Sequence, residues 1–239
     1  MPKGISIHVG LNTVSSSYYG SGVRDLYPCE NDAVNYWEIC REKGFSEQHL
    51  LLSKSATLAN FESVFAGCIS GLEEDDLLVF TFSGHGSRKK DLNGDEEDDW
   101  DETLCFYDGE FLDDQFQGYY EMIPKGARVL FIIDSCYSGT SFRDWIKDFL
   151  EEKGIKKDYS HFGLRVYASS MDHETSTAGY PNSLYTNKFL AAYLSANGEL
   201  SYEDLHAQLI GEFPIDQTPQ FFDLGDSSRW QNLETTFNI

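Results

Sequence analysis

Short apolar runs alternate along the chain with longer amphipathic segments, a pattern typical of strands that alternate with helices. Two runs, 77–82 and 129–133, are apolar throughout, and each predicts a strand buried on both faces. Further strands are predicted at 5–9, 50–52, 164–168 and 219–222. Helical spacing of apolar residues predicts helices at about 30–43, 57–72, 183–194 and 201–213. We therefore expect an α/β fold with a largely parallel sheet of about six strands flanked by helices.

Each of the two apolar runs leads into a reactive side chain with glycine nearby. The first continues as Ser-Gly-His-Gly-Ser, which contains His85 and Gly86, and the second as Asp-Ser-Cys-Tyr-Ser-Gly, which contains Asp134 and Cys136. Because the carboxyl ends of parallel strands meet at one edge of a sheet, we expect His85 and Cys136 to lie together. Either residue alone is more simply a structural histidine or a buried cysteine. Together, a thiol and an imidazole predict a cysteine hydrolase.

Composition narrows the class of protein and its partners. The 239 residues carry 40 Asp and Glu against 18 Lys and Arg, which gives a net charge of −22. This charge argues against nucleic acids and anionic membranes as partners and favours metal ions or Lys- and Arg-bearing polypeptides. The five cysteines have no CxxC spacing, which argues against a zinc cage and against a redox pair. There is no long apolar window and no signal-peptide pattern, so we expect a cytoplasmic protein.

The two motifs resemble those of the metacaspases and their bacterial relatives, the orthocaspases, which are caspase-like cysteine peptidases. The resemblance extends to the segment that ends at Asp32, Leu-Tyr-Pro-Cys-Glu-Asn-Asp, and to 164–177, which resembles the start of the family's small-subunit region. It implies one caspase-like (caspase–hemoglobinase) domain over 1–239. That domain would comprise a large-subunit-like catalytic half at 1–145, a connector at 146–162 and a small-subunit-like half at 163–239.

The resemblance also implies roles for individual residues. Cys136 would be the nucleophile, His85 the base, and the backbone amide of Gly86 part of the oxyanion hole. Asp32 and Asp134 would line the pocket for the side chain before the scissile bond, which predicts cleavage after Arg or Lys. The residues themselves leave alternatives open, because Asp32 could instead cap the helix that follows and Asp134 could support the Cys136 loop.

An acidic stretch from Asp91 to Asp114 holds twelve carboxylates and is either a solvated insert or a cation site. The resemblance implies that Asp101, Asp113 and Asp114 bind Ca²⁺, with Asp144 near the family's fourth ligand in a shifted register. We therefore expect Ca²⁺ as a regulator and no organic cofactor.

The resemblance implies a monomeric cysteine endopeptidase that acts on protein substrates in a bacterial stress, immunity or cell-death pathway. Ca²⁺, self-cleavage in the lysine-rich connector or a separate upstream protein would control it. Two other functions are weighed against this one. The first is a catalytically silent scaffold or Ca²⁺-responsive interaction module on the same fold, and the second is a peptide ligase that uses the same thioester intermediate.

Overall fold

A computed structural model describes residues 1–90, 100–135, 161–169, 180–213, 219–231 and 235–239. The strands in these ranges are β1 (Gly4–Gly10), β2 (Glu47–Leu52), β3 (Leu77–Ser83), β4 (Gly86–Lys90), β5 (Trp100–Phe106), β6 (Gly109–Leu112), β7 (Arg128–Asp134), β8 (Gly163–Ala168) and β9 (Gln220–Gly225). The helices are α1 (Ser16–Tyr19), α2 (Cys29–Glu42), α3 (Leu58–Ser70), α4 (Asp113–Tyr120), α5 (Leu184–Ser195), α6 (Tyr202–Glu212) and α7 (Ser228–Gln231). None of these helices is long and apolar enough to cross a membrane.

A six-stranded sheet in the order β2-β1-β3-β7-β8-β9 forms the centre of the fold. Its neighbouring strands are parallel except for β9, which lies antiparallel to β8 at one edge. The sheet passes without a break from β7 to β8, the strands on either side of the predicted connector. The predicted α/β fold and its largely parallel sheet are confirmed.

Helices cover both faces of this sheet, which explains why its central strands are apolar throughout. On β3, Phe80 packs into a core with α3 and α4, whereas Val79 packs into a second core with α2, α5 and α6. All seven residues of β3 and of β7 are buried. Even the polar His8 of β1 is buried, where its Nδ1 atom hydrogen-bonds the Thr81 hydroxyl at 2.9 Å and burial lowers its pKa to about 3.

A second sheet, in the order β4-β5-β6, includes part of the acidic stretch and was not predicted from the sequence. It is fastened to the main fold by aromatic packing, since Phe106 of β5 stacks on Phe61 of α3 with ring centroids 4.4 Å apart. Tyr19 adds polar contacts, because its hydroxyl donates hydrogen bonds to the Phe106 and Gly109 carbonyls. The sheet therefore holds a fixed position beside the end of β3, where β4 begins.

Helix α2 includes Asp32 in its first turn, and this overturns one alternative for that residue. Pro28 occupies the N-cap position, and the Asp32 amide already donates to the Pro28 carbonyl at 2.9 Å, within the first turn. The suggestion that Asp32 caps this helix was therefore wrong. Its side chain is left to interact with other parts of the fold.

The close approach of β1 to α2 depends on Gly10. A Cβ atom at this position would lie 2.3 Å from the Cys29 carbonyl oxygen, a contact that only movement of the helix could relieve. We expect Gly10→Ala to lower the free energy of unfolding by about 1–3 kcal/mol, the usual cost of overpacking. Urea denaturation monitored by circular dichroism measures this change.

Gly67→Ala is the matched control, because a Cβ atom there meets nothing within 4 Å on the exposed face of α3. Helix propensity should make that variant more stable by up to about 1 kcal/mol. Equal effects of the two substitutions would contradict the assigned role of Gly10.

Candidate active site

The pairing of β3 with β7 aligns the two predicted catalytic segments. Ser83 lies opposite Asp134 in the register, and the Gly84 amide donates to the Asp134 carbonyl at 3.2 Å, one residue beyond the strand. His85 follows the last residue of β3 by two positions, as Cys136 follows the last residue of β7 in the sequence. Cys136 itself lies outside the described residues, so its contact with the imidazole stays a prediction.

Backbone hydrogen bonds on two sides hold His85. Its ring Nε2 atom lies 2.8 Å from the Arg24 carbonyl oxygen, which can only accept, so this nitrogen carries a proton. The other ring nitrogen, Nδ1, is therefore the one that can accept a proton. The His85 carbonyl in turn accepts from the Cys105 amide of β5 at 3.0 Å. Sequence reasoning missed Arg24, because a backbone carbonyl has no residue-type signature.

Gly86 begins β4 and pairs with Leu104 of β5. The second sheet thus starts beside the imidazole and fixes the path of the chain there. The proposed role of the Gly86 amide in an oxyanion hole stays a prediction.

Asp32 and Asp134 come together at the same edge of the sheet, and both are buried. The Oδ2 atom of Asp32 accepts from the Ser83 hydroxyl at 2.7 Å. Its Oδ1 atom accepts from the Asn182 side-chain amide at 2.9 Å and from the Ser183 backbone amide at 3.1 Å. Every one of these donors is neutral, so the charge of Asp32 is solvated by dipoles alone.

Asp134 is bound by the N-terminus of α5. The hydroxyl of Ser183, the N-cap residue of this helix, donates to Asp134, and the Thr186 hydroxyl lies 3.3 Å from the same oxygen. Ser183 therefore contacts both carboxylates, through its amide and through its hydroxyl. The sequence could have identified Ser183 as a helix cap, but nothing in its spacing connects it with residues about 50 and 150 positions away.

The environment of the two carboxylates disfavours their charged forms. Burial, and next the Asp134 carboxylate, raise the pKa of Asp32 to about 7, while burial raises the pKa of Asp134. The hydrogen bonds oppose these shifts without cancelling them. Among the ion pairs of the described residues, none involves either carboxylate. The two carboxylates thus form a buried acidic pair that no cationic side chain of the described residues neutralises.

Three of the four candidate calcium ligands lie near one another along the backbone. Strands β5 and β6 pair Thr103 with Leu112. Asp101 lies two residues before Thr103, and Asp113 and Asp114 directly follow Leu112. The backbone positions of all three therefore lie at one end of this hairpin. Asp144 lies outside the described residues. The binding of Ca²⁺ stays a prediction.

Comparison with known proteins decides the family. The profile described as "Metacaspase, peptidase C14 domain" matches residues 9–144, which include His85, Cys136 and both pocket aspartates. The chain belongs to this family. Its membership of the cysteine-type peptidases follows, and the fold and the catalytic motifs agree with it.

Individual relatives agree with this assignment. The chain is 34% identical over 147 residues to Metacaspase-1 of Cryptococcus neoformans, a match that covers 56% of the chain and 31% of that protein. It is 35% identical over 130 residues to Metacaspase-1 of Arabidopsis thaliana, a match that covers 48% of the chain and 35% of that protein. The chain thus spans about a third of the length of these curated relatives. A crystal structure of a Geobacter sulfurreducens protein, 30% identical, superposes with a TM-score of 0.80 over 96% of this chain and 97% of that one.

The buried carboxylates of this metacaspase domain should leave a signature in its pH stability. The pKa of Asp32 rises from 3.8 to about 7 on folding, so the folded state holds an extra proton between these values. Raising the pH from about 4 to about 7 therefore lowers the free energy of unfolding through this group. Asp32→Asn removes the titration, and we expect its stability relative to the wild type to increase across that range. Urea unfolding at several pH values measures the difference.

Gln208→Ala is the control, because it changes an exposed residue on α6 without removing a titrating group. Its effect should be the same at every pH. Parallel stability profiles of wild type and Asp32→Asn would contradict the burial of a carboxylate with a raised pKa.

Proposed function

We propose that this chain is a cysteine endopeptidase that cleaves polypeptides after Arg or Lys. The observation that carries the proposal is the register of β3 and β7, which places Ser83 beside Asp134 and gives His85 and Cys136 equal offsets from the paired strands. Family membership supports the peptidase activity, and the acidic pocket at the same edge supports the preference for a basic side chain.

The chemistry of the proposed reaction needs only groups at this edge. Nδ1 of His85 takes the proton of the Cys136 thiol, whose ordinary pKa of about 8.5 falls beside an imidazolium. The thiolate attacks the peptide carbonyl, and the imidazolium protonates the leaving amine, so that an acyl-enzyme thioester remains. Water then adds to the thioester with His85 as the base, which releases the acid and restores the thiol. The bond from Nε2 to the Arg24 carbonyl keeps the ring oriented through these steps.

The preference for basic residues follows from charge balance. A guanidinium or ammonium that enters the pocket pairs with Asp32 and Asp134, which have only neutral donors in the described structure. The cation makes their ionised forms favourable and displaces any proton that they hold. An acidic or neutral side chain offers no such gain, so substrates with Asp at this position should be rejected.

Fluorogenic peptides that differ only in the residue before the leaving group test this proposal. We expect turnover with Arg and Lys and none with Asp. Cys136→Ala and His85→Ala should each reduce kcat on the order of 10³-fold or more. Asp32→Asn and Asp134→Asn should reduce kcat/KM for the Arg peptide by about 100-fold, as expected when one side of a buried charge pair is lost.

Asp204→Asn removes an exposed carboxylate of α6 and should leave kcat/KM unchanged. A folded wild-type protein that cleaves none of the peptides, with or without Ca²⁺, would favour the silent scaffold. Conversion of the peptide to an amide in the presence of an added amine would favour the ligase.

We further propose that Ca²⁺ bound near Asp101, Asp113 and Asp114 activates the enzyme. Strand β5 carries Asp101 at one end, and its Cys105 amide binds the His85 carbonyl at the other. An ion that orders the β5–β6 hairpin would therefore act directly on the position of His85. The net charge of −22 favours divalent cations. Self-cleavage among Lys147, Lys153, Lys156 and Lys157 is a second proposed control, and it rests on their sequence alone.

Titration of the fluorogenic rate and the intact mass with Ca²⁺ against EGTA tests both controls. Ca²⁺ should raise the rate and produce connector fragments, and Asp101→Asn should shift the half-activating concentration upward by about 10-fold or more. Glu199→Gln, which removes an exposed carboxylate elsewhere, should respond like the wild type. Equal rates in Ca²⁺ and EGTA would exclude activation by the ion, and identical fragments from Cys136→Ala would exclude self-cleavage.

The remaining expectations concern the setting of the protein. A monomeric state, a cytoplasmic location and a role in a bacterial stress, immunity or cell-death pathway under an upstream protein are proposed from the resemblance and the composition.

A further inference from the structure

Three side chains with metal-binding atoms meet on the outer side of the fold, away from the candidate active site. Glu47 and His49 stand two positions apart on the edge strand β2 and so point to the same face, and Cys68 of α3 lies against them. The Glu47 Oε1 atom is 2.9 Å from His49 Nε2 and 3.8 Å from Cys68 Sγ. All three ligand atoms lie within 4.8 Å of one another, and no other such group of three occurs among the described residues.

The arrangement is unsuited to nucleophilic catalysis, although it has the residue types of a Cys–His–Glu triad. In a triad the imidazole lies between the thiol and the carboxylate, whereas here the Glu47 carboxylate contacts both of the others. Burial, followed by the nearby Glu47 charge, raises the pKa of the Cys68 thiol to about 12. The thiol therefore stays protonated at neutral pH without a cation beside it.

The donor set is one that a zinc ion binds, and its spacing is near that of a zinc site. Zn²⁺ binds thiolate, imidazole and carboxylate at about 2.3, 2.0–2.1 and 2.0–2.2 Å in a tetrahedron. Tetrahedral ligand atoms at those bond lengths lie roughly 3.3–3.7 Å apart, and the observed separations of 2.9 and 3.8 Å bracket this range. Binding therefore requires the Glu47 and His49 side chains to leave their direct contact and move apart by about half an ångström.

The three side chains differ in exposure in the way that a three-ligand site requires. Cys68 is only 2% exposed, whereas the side chains of His49 and Glu47 are 33% and 50% exposed. An ion can therefore enter from the solvent side and keep a water molecule as its fourth ligand. The high net negative charge of the chain favours its capture.

We propose that Glu47, His49 and Cys68 bind a Zn²⁺ ion that fastens the edge strand β2 to helix α3. On binding, the Cys68 thiol releases its proton to solvent, and His49 presents the Nε2 lone pair with its proton on Nδ1. Glu47 pairs with Ile5 at the start of β1, which places the site at the opposite end of the parallel strands from His85. Its role is therefore structural, and it secures a strand whose outer edge is unpaired in the described sheet.

Metal titration of the full chain tests the site, with Cys136→Ala as the background so that the predicted nucleophile contributes no thiolate. We expect one Zn²⁺ per chain in competition with a chromogenic chelator, and a higher midpoint of thermal unfolding. Co²⁺ should give a thiolate-to-metal absorption band in the near ultraviolet. Cys68→Ser should abolish that band, and His49→Gln and Glu47→Gln should each weaken binding by at least about 10-fold.

Cys105→Ser is the matched control, because it removes another buried free cysteine and should leave the band and the stoichiometry intact. The exposed positions of His49 and Glu47 keep the test valid if Cys68→Ser fails to fold. Absence of stoichiometric binding to the Cys136→Ala protein would overturn the proposal. So would a cobalt band or a zinc affinity that is unchanged in the Cys68, His49 and Glu47 variants.

Discussion

The parallel pairing of β3 with β7 is the constraint on which the rest of the site depends. Both strands are buried on both faces, so a slip by one residue would turn every side chain to the opposite core. Phe80 and Phe131 face one another across the pair with ring centroids 5.3 Å apart, which makes such a slip sterically costly. The register that packs the core is thus the same register that aligns the ends of the two strands. Core packing and the relative position of the catalytic segments are set by one interaction.

The buried acidic pair at this edge ties together three elements of the fold. Asp32 comes from α2, Asp134 from β7, and both are bound by the residues that start α5 in the small-subunit-like half. Burying two neighbouring carboxylates is unfavourable unless donors or a cation compensate them. The N-terminus of α5 supplies the donors, and in the proposed enzyme the substrate supplies the cation. Part of the affinity for Arg or Lys would then come from relieving an existing repulsion.

The parts of the structure that depend on local pattern were predictable, and those that depend on distant contacts were not. Apolar runs predicted β3 and β7, and Thr57 and Ser183 at the predicted starts of α3 and α5 are N-caps. The second sheet was missed because β4 is mostly charged and β5 begins inside the acidic stretch, and tertiary packing through Phe106 fastens both to the fold. The contact of Arg24 with His85 was missed because it uses a backbone atom. The Asp32–Ser183 bond was missed because it spans 151 residues.

The predicted connector lies between two strands that are neighbours in the sheet. Strands β7 and β8 pair along six positions with both faces buried. A break in the polypeptide between them would remove a covalent link while leaving the hydrogen-bond ladder and the two cores in place. The products of such a break would migrate as separate fragments under denaturing conditions and as one particle under native ones. The folded molecule therefore does not depend on an unbroken chain between β7 and β8.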